Sequence, residues 1–424
     1  MPLFPQNLQK GETLYTIPLN LAGPAYTSFS TNVNAQTCVN WYPATPGPAS
    51  KSQAVLFPTA GTIQVASIGG GNHRGTIEHK GFAYFLSGSE LIRMNSSEVR
   101  STMAGTTTSV TGKVSMASNG DFGDQMMLVD GTTGYSFDGT TLTAIADADF
   151  PANPTTVRYM DGRAILTLKD SGVWWISDLN NFTAWTATQF ANAERDRDNL
   201  MAVEVNNRDL MLLGEFTTEV GTNTGGSPFP FEMYSNGLFD KGCAARFSIS
   251  KANDFVYWLS QDRHGSKQIL KAKGITYAPI SSKALEQTIS TYSTIADAEA
   301  FCYSEQGTAF YQISFPTQGV TWICNLDIAH KDPEQAWAQK KTGSGRHIAS
   351  TYLAFNGNQY VGSFSDSFLY KLSSTTYLDG TTAITRERSS SVIASQGSRK
   401  RLAHRRLELE FEAGTGLVTG QGSD

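Results

Sequence analysis

The residues able to do chemistry are few in this sequence, and they stand apart. The four cysteines, Cys38, Cys243, Cys302 and Cys324, share no C-x-x-C spacing and have no histidine at ligand spacing, which argues against zinc. Four thiols in 424 residues are too few for a disulfide framework. Free, mostly buried thiols in a reducing compartment are expected instead. His73, His79, His264, His330, His347 and His404 lie outside any H-E-x-x-H or Cys/His set and read as surface or turn residues. Gly69-Gly70-Gly71 lacks the lysine and helix of a phosphate loop, and the stretch NGDFGD at 119–124 lacks the spacing and closing glutamate of a calcium loop. Glu215 with Glu219, or Asp147 with Asp149, could pair as acid and base, yet any polar loop offers as many carboxylates. Trp174-Trp175 and Trp185 could form a sugar platform, although packing between strands explains them better. No catalytic, cofactor-binding or metal-binding residue is assigned, and no cofactor is expected.

The charge pattern carries more information. A net charge of −5 gives no global pull toward nucleic acid or an anionic membrane. One basic cluster stands out: Arg386, Arg388, Arg399, Lys400, Arg401, His404, Arg405 and Arg406, against the single acid Glu387. It suits phosphate contact or an acidic partner surface, and equally a solvated loop ahead of the strand-like LELEF at 407–411. It has no interleaved aromatics, so stacking on single strands is not supported. The N-terminus shows no charged segment followed by an apolar run, and no window approaches 18 consecutive apolar residues. Neither a secretory signal nor membrane insertion is expected.

The elements that would position these residues are strands. A charged fraction of 17% and a hydrophobic fraction of 40% describe a chain able to fill a core. Residues 1–60 are rich in Pro, Asn and Ser and read as an extended arm anchored by Val39-Asn40-Trp41-Tyr42. From Gly61 to about Tyr370 one phrase returns: alternating β-branched and aromatic residues, a Gly, Asp or Ser turn, then a second such run. Ile63–Ile68, Gly81–Leu86 and Leu91–Met94 give its first appearance, and Ala245–Ile249 opens a later one. The interval of ~40–50 residues is that of a propeller blade, so the fold expected is all-β, a β-propeller of six or seven blades. Domain bounds of 1–60 (arm), 61–380 (body) and 381–424 (basic segment and start of a C-terminal β appendage) follow. Helix is scarce, with Ser281–Ile289 able to start on a serine cap and to put Leu285 and Ile289 on one face. The stretch Gly214–Cys243 reads as a large loop or outer hairpin. Its tip, Gly225, Gly226, Pro228, Phe229, Pro230 and Phe231, is the candidate subunit-interface loop, since two prolines permit only extended or edge backbone there.

Several ordered phrases carry a resemblance: VNWYP, VSMASNGDFGDQMMLVDGTTGY, WWISDLNNFTAWTATQFANAE, LGEFTTEVGTNTGGSPFPFE, GCAARFS and DAEAFCYSEQGTAFYQISFPTQGVTW. From about Cys38 to the end the chain resembles the packaged-DNA stabilisation (tail hub or nozzle) proteins of short-tailed bacteriophages, the podoviruses. The resemblance implies a non-enzymatic virion component, six copies to a ring, added below the portal and its adaptor ring. It would extend the channel, retain packaged DNA and carry tail spikes or fibres and a plug. It also implies assembly in the host bacterial cytoplasm, possible non-specific contact with packaged DNA, and further β-strands where this chain stops at GTGLVTGQGSD, hence a shortened or processed product. A closed ring of this kind is heterologous, so each subunit needs two different complementary patches. A carbohydrate-binding or glycosidase-like propeller acting on host surface glycans is the alternative left open by the residues themselves.

Overall fold

Strands pair in consecutive antiparallel fours because each apolar run is bounded by a turn that sends the chain straight back. The computed structural model describes residues 21–28, 34–47, 54–193, 198–390 and 406. Seven blade sheets follow one another, the first five of four strands and the last two of six, each built on a core of four. Blade 1 comprises His73–His79, Phe82–Ser87, Glu90–Met94 and Arg100–Thr106. Blades 2, 3 and 4 begin at Ser115–Ser118, Pro154–Met160 and Leu200–Asn206. Blades 5, 6 and 7 begin at Ser250–Ala252, Glu299–Glu305 and Ala349–Phe355. These first strands adjoin one another around the axis, so the architecture is a seven-bladed β-propeller.

Blade 7 takes its fourth strand from the beginning of the chain. Gly61–Ser67 pairs antiparallel with Phe368–Ser373, closing the circle. Ile63–Ser67, which the sequence places in the first repeat, therefore belongs to the last. Alternation identifies a strand but not its partner, and this pairing spans about the whole body of the chain. Ala245–Ile249 is a second correction. Arg246–Ser248 is a 3-10 turn, and the inner strand starts only at Ser250. Ser248 Oγ is spent there on the Ala245 carbonyl and the Leu259 N–H, which holds the turn. The anchored strand at 39–42 is also interrupted, because Asn40 adopts a left-handed φ of 57° and splits it into Cys38–Val39 and Trp41–Ala44.

Blades stack through apolar faces, with six buried clusters for the seven seams, the largest running continuously through blades 5, 6 and 7. Tyr84, Leu86 and Leu91 of blade 1 meet Met126, Leu128 and Phe137 of blade 2. Ile165, Trp174 and Ile176 meet Val203, Leu210 and Leu212 between blades 3 and 4. Trp174 and Trp185 are buried in this packing and no sugar platform is formed by them. The expected helix forms at Lys283–Ser290 on the Ser282 cap, with Leu285 and Ile289 buried against blades 5 and 6. Burying a large aliphatic or aromatic side chain contributes roughly 1.5–3 kcal/mol, so seven such seams hold a body that no single hairpin could hold alone.

Candidate functional site

Around the axis, polar side chains link each first strand to the next. Ser115 Oγ accepts the Val157 N–H at 3.0 Å and Thr156 Oγ1 accepts the Val203 N–H at 3.1 Å. Ser250 Oγ does the same for the Cys302 N–H at 2.8 Å. A hydroxyl on one inner strand thus satisfies a backbone donor on its neighbour, which a closely packed ring of strands requires. The circle continues through His79 Nδ1 with Ser118 Oγ at 2.7 Å and Thr76 Oγ1 donating to the Tyr352 carbonyl at 2.9 Å.

Charges complete this belt. Arg158 Nε lies 2.8 Å from Glu204, which also meets Lys251 at 3.3 Å, joining blades 3, 4 and 5. Lys113 lies 2.9 Å from Glu299, whose other oxygen pairs with Arg346. Ser350 on blade 7 accepts from the same lysine at 2.7 Å. Glu204 and Glu299 are 2% and 7% exposed, so these pairs are desolvated. Burial alone would raise the Glu204 carboxyl, but Arg158 and Lys251 outweigh it and hold it below its ordinary value. Burial pulls the Lys113 ammonium down, and Glu299 opposes the shift. The axis is therefore occupied by matched side chains at this level. None of these six charged residues is visible as a site in the sequence. A usable signal exists: Arg158 and Glu204 each stand fifth in the first strand of successive blades, inside runs otherwise apolar or small.

Three of the histidines correct the reading of them as surface or turn residues, whereas His264 is exposed in a turn and His404 lies outside the described residues. His73, His79 and His347 are buried, two of them at the ends of the first blade strand. His73 fills the space where a Cβ on Gly362 would stand, 2.3 Å from its ring, so the glycine admits the imidazole. Burial pushes the His73 imidazole down to about 4. The cysteines are free and buried, and burial raises the Cys302 thiol to about 12. A thiol so raised stays protonated and unreactive at neutral pH.

The carboxylates singled out in the sequence are engaged in structure. Asp147 accepts the Asp149 and Trp185 N–H groups, and Asp149 accepts that of Ala187. Glu219 is buried, whereas Glu215 borders a cleft of about 730 Å³ between the outer parts of blades 3, 4 and 5. Asp198 in the same cleft is occupied by the N–H groups of Phe216 and Thr217. Among the described residues no cluster of three or more His, Cys, Asp or Glu side chains could hold a metal ion, and no helix is long and apolar enough to cross a membrane.

At the rim, the two ends of the chain meet on blade 6. Cys38–Val39 pairs parallel with Trp337–Gln339 and antiparallel with Glu387–Arg388, making a six-stranded sheet. Arg388 is consumed there: its guanidinium donates to the carbonyls of Leu21, Pro24 and Thr37 and to Gln36 Oε1, at 2.6–2.9 Å. Asn40 adds side-chain bonds to the Lys341 and Thr385 carbonyls. Arg386, two residues earlier, lies over the rings of Trp41 and Tyr377, 5.5 and 5.4 Å from their centroids. Arg406 is exposed. Arg399, Lys400, Arg401 and Arg405 lie outside the described residues.

The candidate interface loop connects Thr218–Asn223 to Phe231–Phe239, the outer hairpin of blade 4. Gly225, Gly226 and Pro228 are exposed, Phe229 is half-buried, and Pro230 and Phe231 are buried. Phe229 and Phe231 both meet Trp174 of blade 3 edge-on, at 5.1 and 5.7 Å. The loop's aromatic half thus fastens it to its own body, and its glycine tip is the part left in solvent.

Comparison with known proteins adds the family. The phage stabilisation family described as bacteriophage P22 Gp10, beta-propeller, matches residues 15–377. No curated protein matches the chain. Among solved structures, a streptogramin B lyase is 10% identical over 74% of this chain and 97% of its own, with a TM-score of 0.46. The extracellular domain of the putative hybrid two component system BT4673 from B. thetaiotaomicron is 10% identical over 78% of this chain and 45% of its own, with a TM-score of 0.49. BamB from Moraxella catarrhalis is 12% identical over 73% and 97%, with a TM-score of 0.41. Identities this low say nothing of activity.

Proposed function

This chain belongs to the family of phage stabilisation β-propellers described by bacteriophage P22 Gp10, and we propose that it serves as the tail hub, or nozzle, of a short-tailed phage. The family supports a phage structural role in stabilising DNA. The finer reading is a ring of about six copies beneath the portal and its adaptor, extending the DNA channel and carrying spikes, fibres and a plug. Packaged DNA is retained behind it.

The observation that carries this reading is the family match over residues 15–377. The filled axis adds a geometric constraint. Lys113, Glu299 and Arg346 occupy the propeller's centre, so the conduit belongs between subunits and not through a propeller. The propeller then acts as a rigid wedge, and its exposed rim supplies the contacts. The burial of Glu219, which leaves Glu215 alone of that pair at the cleft, weighs against the glycosidase-like alternative, because an acid and a base must both face one substrate.

Electron microscopy of the purified chain with a portal complex tests the reading. A closed ring bound under the portal is the expected result. A lone propeller that stays off the portal and binds a glycan would overturn it.

A further inference from the structure

We propose that Arg386 is a receptor for a carboxylate on a neighbouring polypeptide, set into the rim beside Trp41 and Tyr377. The contrast with Arg388 makes the case. Arg388 has four acceptors around it and is committed to the N-terminal arm. Among the described residues, the Arg386 guanidinium has neither a hydrogen-bond acceptor nor a paired carboxylate, and its Nε is buried without a partner. Two aromatic rings hold it in place instead. Cation–ring attraction fixes the plane of the fork, and the terminal nitrogens are left to a ligand from outside. A planar fork with fixed orientation matches a carboxylate bidentately and loses little freedom on binding it.

The surroundings favour a protein over nucleic acid. Tyr377 and Leu378 are 52% and 42% exposed, which places apolar surface at the mouth of the site. Arginine, tryptophan and tyrosine together are the composition of a protein–protein hot spot. Contact with a DNA backbone calls for several uncommitted cations in a row, and among the described residues Arg388, the cation next to Arg386 in the cluster, is already spent. The ligand is therefore a segment pairing an Asp, Glu or C-terminal carboxylate with apolar neighbours. This deepens the hub reading, on which it rests, by assigning one of the rim's partner contacts.

The test uses whole phage particles with Leu378 replaced by the photo-crosslinker p-benzoylphenylalanine, which leaves Arg386, Trp41 and Tyr377 intact. After irradiation, mass spectrometry of the adduct is expected to place it on another polypeptide, next to an acidic residue or a C-terminus. Arg386→Glu should then lower recovery of complete particles about tenfold, and reversing the mapped carboxylate to arginine should restore it. Arg386→Lys, which keeps the charge and loses the fork, should fall between. Circular dichroism of each purified variant separates loss of contact from loss of fold, and a reduced crosslink yield in Arg386→Lys stands if Arg386→Glu does not fold. An adduct on nucleic acid, an adduct within the same chain, no adduct in particles that contain the chain, or undiminished recovery with Arg386→Glu would each overturn the proposal. Particles that lack the chain altogether would overturn the hub reading and this proposal with it.

Discussion

The axis and the rim of this propeller spend arginine and lysine in opposite ways. At the axis, Arg158, Lys251, Lys113 and Arg346 each face a carboxylate from a different blade. Every charge is answered within the chain, and the belt joins blades distant in sequence. At the rim, Arg388 is answered only by neutral oxygens of the arm, and Arg386 lies against two rings with no paired carboxylate among the described residues, Asp379 acting on it only from beyond ion-pair distance. Charges that are fully compensated hold a fold together, and a charge held in position without compensation is available to another molecule.

Four experiments would break or sharpen that comparison. The largest effect is expected from Glu299→Leu, which strands Lys113 and Arg346 in a desolvated centre. Breaking a buried pair by removing one partner costs about 3–5 kcal/mol, read as a drop in the denaturant midpoint. A loss under 1 kcal/mol would mean that solvent reaches the axis.

A comparable effect is expected from pH. His73 is held neutral in the folded state, its imidazole pushed from 6.5 to about 4. Below pH 6.5 the unfolded chain binds a proton that the folded chain refuses, so stability falls as pH drops from 6.5 to about 4 and then levels off. The loss is about 3 kcal/mol. Glu204 adds to it at lower pH, because its depressed carboxyl contributes stability that is lost as pH falls through its folded value. His73→Leu should flatten the upper part of the profile and leave the lower part, and an unchanged slope would show that the imidazole is solvated.

Arg388→Met should cost less, about 2 kcal/mol, since its hydrogen bonds are only partly buried. The arm should become accessible to protease before the blades do. Simultaneous cleavage of both would show that the arm is part of the propeller's cooperative unit.

The smallest effect on stability is expected from replacing Gly226 with serine, within about 0.5 kcal/mol, because the position is exposed and its backbone is outside the left-handed region that demands glycine. If this tip is a subunit contact, ring yield should fall while the melting temperature holds. Intact rings would remove the loop from the interface and leave the rim arginine as the better candidate.

Much of the fold was legible because strand periodicity and turn chemistry are local. The runs Phe82–Leu86, Gln125–Val129 and Phe255–Leu259 announce themselves by alternation or apolar continuity, and Ser282 announces its helix by a side chain that caps Leu285 N–H. The sites were less legible. Arg386 and Arg388 read as one basic cluster, although packing gives them unrelated tasks. His73 reads as a loop residue because Gly75 suggests a turn, whereas Gly75 in fact allows the strand to lie close to Val114.

The sequence by itself determined the all-β class, the recurring blade, the free buried thiols and the family, because each rests on neighbours along the chain or on phrases kept in order. Only the tertiary structure decided that Gly61–Ser67 completes the last blade, that Lys113 meets Glu299 across the axis, and that Arg388 is consumed while Arg386 is left without a hydrogen-bonded partner among the described residues. These are pairings across up to about 370 residues, fixed by how seven seams close into one circle, and no local pattern encodes which distant partner a strand or a charge will meet.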